Sequence, residues 1–257
     1  MTELRKLWEW RHVLWYLVRV DLKVTYRNKL LGYVWSLLDP LMLMLVYVIL
    51  VQYIFRRGEP LFPVLLFSAL LAWHWFIHAV QRATTCITGR ARLVQTVAFP
   101  KILLPTQQTL VTFFQYIFGL GALFPLLLFF KVDLTAYVLW LPLVIAIQFM
   151  LTWGLALMCA VLGVYFRDWQ NILQFGLRMW WYLSPGLYSV QDRIPVDLQK
   201  IYMLNPFASL FNAYKNILVR GELPSSYICV ALGTGLFSLL IGLWVFSRKE
   251  ADLARDV

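Results

Sequence analysis

Residues 30–55 read LLGYVWSLLDPLMLMLVYVILVQYIF and contain a single formal charge, Asp39. An α-helix rises about 1.5 Å per residue, so about 20 apolar residues cross the roughly 30 Å hydrocarbon core of a bilayer. This stretch is long and oily enough to do so. Five further stretches follow, at residues 61–80, 103–130, 137–166, 172–188 and 227–246. The expected fold is an all-α polytopic membrane protein with six transmembrane helices.

Composition excludes the main alternatives. Of 257 residues, 61% are hydrophobic, 17% aromatic and 14% charged, where soluble domains carry about 25% charge. A mean hydropathy of +0.69 leaves too few polar side chains to cover a soluble surface. With Gly 13 and Pro 11, the chain is neither collagen-like nor a low-complexity tract. Cys86, Cys159 and Cys229 form no C-x-x-C pair, so they read as packing residues rather than zinc ligands or a disulfide framework. The N-terminus lacks a short apolar core followed by a small-residue cleavage site, so no cleavable signal peptide is expected and the first span serves as the anchor.

Charge placement sets the topology. The chain has 23 Lys+Arg against 13 Asp+Glu. Seven of the cations precede Leu30 and flank an apolar run, as a cytoplasmic border does, so no nucleic-acid partner is expected. Six spans put both termini on one side. With the termini and the links after spans two and four inside, the cytoplasm holds Arg82, Arg90, Arg92, Lys101, Arg167, Arg248, Lys249 and Arg255 as well. The other side holds about half as many cations. The expected location is the cytoplasmic (inner) membrane, multi-pass, with both termini cytoplasmic.

Four segments lie outside the simple spans. Residues 1–29 hold an amphipathic interface helix, with Leu4, Leu7, Trp8, Leu14, Trp15, Val18 and Leu22 on one stripe. Arg5, Lys6, Arg19 and Lys23 lie opposite, against membrane lipid or a partner. Residues 83–101 form a basic cytoplasmic elbow ending at Phe99-Pro100. Residues 184–224 carry breaks at Ser184-Pro185-Gly186, Ile194-Pro195, Asn205-Pro206 and Gly221, with apolar residues such as Phe207 and Phe211 between them. Such a segment is too oily for a free loop and too broken for a span. It reads as short re-entrant helices forming an outer gate, with Pro185, Gly186, Asn205, Pro206, Phe207 and Phe211 as its candidate residues. Residues 247–257 are a cytoplasmic tail, and residues 30–257 form one membrane domain.

No G-x-x-x-x-G-K-[ST] phosphate cradle, H-E-x-x-H or G-x-S-x-G occurs, so the chain is not expected to be an enzyme. His74 and His78 share a helix face at i, i+4, but no third ligand is evident in the sequence. They read as polar tips, and no metal or cofactor is expected in this chain.

Two charges stand inside spans, Asp39 in the first and Arg178 in the fifth. Counted from Leu31 and Asp168, they lie about 12 and 15 Å deep at a rise of about 1.5 Å per residue. Opposite charges at similar depth can offset each other, so pairing beside a channel or lateral entrance is expected, within one chain or across a dimer.

The run Arg19-Val20-Asp21-Leu22-Lys23-Val24-Thr25-Tyr26-Arg27, with Leu31-Gly32-Tyr33-Val34-Trp35-Ser36-Leu37-Leu38-Asp39-Pro40, resembles the opening of ABC-2 type polysaccharide exporter permeases. Phe99-Pro100-Lys101, Phe166-Arg167-Asp168-Trp169 and Leu204-Asn205-Pro206-Phe207 with Ala213-Tyr214-Lys215 match the family's later motifs in order. Lys215 replaces a commoner arginine, and Asp39-Pro40 stands where many relatives have asparagine-proline. The resemblance implies a homodimeric channel with two copies of a separate ATPase subunit, which binds ATP and Mg. The substrate it implies is a lipid-linked polysaccharide on polyprenyl diphosphate, entering between spans one and five. It also implies that the interface helix and the elbow transmit ATP hydrolysis, with Arg5, Lys6, Arg19, Lys23, Arg90 and Arg92 as coupling candidates. An O-antigen-like polymer is the leading cargo. Capsule or teichoic acid export, small-molecule drug efflux and an integral membrane glycan-processing enzyme are the alternatives.

Overall fold

The computed structural model describes residues 3–26, 35–56, 61–188 and 195–256. The junction between the interface helix and the first span, with Arg27, Lys29 and the Leu31-Gly32-Tyr33-Val34 motif, lies outside the described residues. So does part of the gate segment, including Arg193.

The described residues are helical and turn structure, without a strand. Helices α1 (Glu3–Glu9) and α2 (Arg11–Tyr26) precede α3 (Trp35–Val48), which widens into a π-helical turn over Ile49–Ile54. Pro40 removes a backbone donor early in α3. Next come α4 (Phe62–Thr85), the short α5 (Ala91–Thr96), α6 (Leu103–Phe129), α7 (Leu141–Tyr165) and α8 (Trp169–Tyr182). The chain ends with α9 (Val196–Tyr202), α10 (Pro206–Lys215) and α11 (Ile228–Lys249).

Five segments are long and apolar enough to span a membrane: Leu37–Ile54, Phe62–Thr85, Leu103–Phe129, Ala136–Tyr165 and Ile228–Lys249. The stretch expected as the fifth span, 172–188, holds the 14-residue α8, which by itself is shorter than the roughly 20 residues a crossing needs. Gln174 and Arg178 lower its hydropathy, and the Ser184-Pro185-Gly186 turn follows its end.

The middle of the bundle is α4, buried along most of its length and packed against α3, α6, α7, α8 and α10. Buried polar groups fix its neighbours. Gln148 of α7 donates to the Ala72 carbonyl at 2.7 Å and accepts from Tyr214 of α10 at 2.8 Å, so three helices share one amide. Trp153 donates to Thr106 at 3.0 Å, joining α7 to α6.

Helices α7 and α11 meet through small residues. A Cβ on Gly154 would run into the backbone of Ser238 and Leu239, and one on Gly242 into the backbone of Gly154. Ser238 closes the contact by donating to the Leu151 carbonyl at 3.2 Å. With lipid outside, close backbone approach and dispersion hold such helix pairs together.

One end of the bundle gathers α1, the elbow, the start of α6 and the C-terminal tail. Leu7 packs on a cluster that includes Ile87, Val94, Ile102, Phe246 and Leu253. Lys6 pairs with Glu3 and Glu250, and Glu250 also accepts the Lys101 backbone N–H at 2.8 Å.

Burial, the largest influence on the Lys6 ammonium, lowers its pKa, but the hydrogen bonds and charges of Glu250 and Glu3 outweigh it and hold it above the ordinary 10.5. A raised folded-state pKa adds stability that is complete below the unfolded value and disappears as pH rises through the folded value. Lys6→Met should therefore melt below wild type at pH 8, and the gap should narrow and close as pH rises past the ordinary lysine value of 10.5. Thermal unfolding across that range checks it; a gap that stays constant would contradict it.

Candidate functional site

Helices α3, α4 and α8 border an open cavity of about 510 Å³. Leu43 and Tyr47 line it from α3, and Trp73, His74, Ile77 and Gln81 from α4. The α8 side offers Gln174, Arg178, Trp181 and Tyr182. Arg178 is the one fixed charge among these lining residues, and no carboxylate lies among them. The arrangement is a ring-walled pocket with amide and hydroxyl groups and one guanidinium. Apolar ring faces suit sugar rings and isoprenoid chains, and a guanidinium suits phosphate oxygens.

The aromatic wall is continuous with the gate segment. Trp73 meets the rings of Phe207 at 4.9 Å, Trp181 at 5.6 Å and Phe211 at 6.3 Å between centroids. Phe76 meets Phe207 at 4.5 Å, and Trp181 donates to the Tyr47 hydroxyl at 3.3 Å. Phe207 and Phe211 are fully buried, so α10 backs the wall rather than lying on a surface.

Asn205 connects these parts. Its side-chain oxygen accepts from the Phe207 backbone N–H at 3.0 Å, capping α10, and from the Trp180 indole at 3.0 Å. Its amide donates to Ser184 Oγ at 2.9 Å. Pro206 occupies the first turn, where a missing N–H costs nothing. The buried Lys215 donates to the Pro185 carbonyl at 2.6 Å, tying the far end of α10 to the turn after α8. A Cβ on Gly186 would strike the Trp181 ring.

Asn205→Ala removes the cap and strands the Trp180 indole. A cost of about 1–2 kcal/mol follows from the cap alone. Purified protein should melt several degrees lower, and Asn205→Asp, which keeps the acceptor, should recover part of the loss.

The coupling candidates divide into two groups. Arg90 donates to Gln107 at 2.6 Å and lies 3.7 Å from Asp21, while Gln107 and Gln108 both donate to Asp21. Arg90 thus joins α2, the elbow and α6, while Lys6 ties α1 to Glu250 at the end of α11. Arg5 pairs with Glu9 on the surface, and Arg19 lies over the Trp15 ring at 5.1 Å. Lys23 and Arg92 are exposed. The Cys86 thiol at the start of the elbow is buried, which pushes its pKa up to about 12 and leaves it a packing group.

Asp39 and Arg178 do not pair within the chain. Arg178 faces the cavity, whereas Asp39 turns towards α4, where its carboxylate lies within 4.8 Å of His74 and His78 ring nitrogens. Sequence reading missed this third member and the role of Lys215. A lone lysine among buried apolar positions is the signal for Lys215, since a buried cation needs acceptors.

The fold and the site together define an integral membrane protein with a polar-apolar pocket between α3, α4 and α8 and an end-face of basic, interlocked helices. Residues 12–219 match the ABC-2 type transporter family, and the chain belongs to it. It is 33% identical to the O-antigen export system permease protein RfbA of Myxococcus xanthus over 260 residues, covering 98% of each chain. It is 25% identical over 235 residues to a protein of the same description from Klebsiella pneumoniae, covering 91% of this chain and 90% of that one.

Proposed function

We propose that this chain is the channel-forming permease subunit of an ABC transporter that exports a polysaccharide joined to polyprenyl diphosphate. An O-antigen-like polymer is the first cargo to test. The observation that carries the reading is the cavity between α3, α4 and α8, where aromatic walls and a single guanidinium suit a diphosphate with a sugar on one side and an isoprenoid on the other. The near full-length likeness to permeases named for O-antigen export supports it.

In this reading α8 and the turn through Gly186 supply the fifth crossing of six, and α10 behind them is the re-entrant element of an outer gate. Two copies of the chain form the path, and two copies of a separate ATPase subunit bind ATP and Mg. Both termini and the elbow face the cytoplasm, where Arg92, Lys23, Arg19 and Arg5 meet the ATPase, while Arg90 and Lys6 hold that surface in shape. The membrane is the inner membrane.

Co-expression with an ATPase subunit encoded beside it tests the reading. The two should copurify, and the polyprenyl-linked polymer should stimulate ATP hydrolysis in nanodiscs. Failure to copurify, or stimulation by small hydrophobic drugs and not by polymer, would refute it.

A further inference from the structure

His74 and His78 sit one turn apart on α4, with ring centroids 5.5 Å apart and planes at 77°. Their nitrogens and an Asp39 carboxylate oxygen all lie within 4.8 Å of one another. These three side chains make no hydrogen bond to any other described residue, and the Asp39–histidine separations exceed ion-pair distance. Three polar groups converge on a common point without touching. In a membrane span, ionisable groups left without partners are expensive.

We propose that Asp39, His74 and His78 form a divalent transition-metal site of the zinc class that ties α3 to α4. Three atoms no more than 4.8 Å apart leave a central point within about 2.8 Å of each, and zinc binds nitrogen or oxygen at about 2.0–2.2 Å. Adjustments under an ångström complete the set. Two neutral imidazoles and one carboxylate give a bound ion a net charge of +1, with a fourth position open to water or an anionic oxygen. His74 also lines the cavity that holds Arg178, so the open position belongs to the same chamber. Neither the ATPase reading nor the cargo is needed for the site to exist.

The test uses the full-length permease without a histidine tag, in nanodiscs, titrated with Co²⁺ and followed by visible absorption. One Co²⁺ per chain is expected, displaced by Zn²⁺. Asp39→Asn, His74→Gln and His78→Gln should each weaken binding about tenfold or more. His12→Gln, which changes the third histidine of the chain, should leave it unchanged. His78→Cys supplies a positive readout free of folding losses: it should retain binding and add a thiolate-to-cobalt charge-transfer band that the wild type lacks. Absence of Co²⁺ uptake by the wild type, or uptake unchanged in the His74→Gln/His78→Gln double variant, would overturn the site.

Discussion

Gly242→Leu should abolish recovery of folded, monodisperse protein. Any side chain at Gly242 must enter the space occupied by the Gly154 backbone, and Gly154 in turn lies against Ser238 and Leu239. Because the obstacle is main chain on a partner helix, no rotamer change relieves it. Overpacking ordinarily costs about 1–3 kcal/mol, and here α7 and α11 must separate along their shared length, which raises the cost further. Gly233→Ala is the control: it lies on the same helix with nothing within 4 Å of an added Cβ, and alanine is the better helix former by about 1 kcal/mol. Size-exclusion profiles and melting curves should separate the two variants. Equal behaviour would mean that the two helices are not in backbone contact.

Arg178→Glu should reduce export by at least about tenfold while leaving the folded yield intact. The side chain is exposed to the cavity and has no ion-pair partner among the described residues, so its loss strands no buried carboxylate. Reversing its sign places a carboxylate where a diphosphate would bind, and one unit of charge near a low-dielectric wall is worth several kcal/mol before screening. Arg178→Lys keeps the charge but not the planar fork, and should retain partial transport. Surface polymer and polymer-stimulated ATP hydrolysis measure both variants. Wild-type export by Arg178→Glu would remove the guanidinium from the path.

The five long helices were legible because hydropathy over about 20 residues is an additive property of the sequence. The length of α8 was not, because its apolar residues lie on both sides of Arg178 and Gln174, and helix length depends on where the chain turns. Asp39 and Arg178 illustrate a different limit. Their similar depths could be counted along each helix, but depth says nothing about rotation around the helix axis, and rotation decides whether two charges meet. The structure turns Asp39 to the histidines of α4 and Arg178 to the cavity. The basic residues of the interface helix and of the elbow were visible in the sequence, yet their positions alone could not separate Arg90 and Lys6, which bind within the chain, from Arg92 and Lys23, which remain exposed.

The contact between Lys6 and Glu250 joins positions 244 residues apart, and Glu250 also holds the Lys101 amide. On the ribosome, Lys6 and Lys101 emerge long before Glu250 is made. The basic end-face therefore acquires its final shape only after α11 has been made and threaded into the bilayer. A chain that stops short of Glu250 still carries Lys6 and Lys101 but not the carboxylate that joins them, so an unfinished subunit presents a different surface from a finished one.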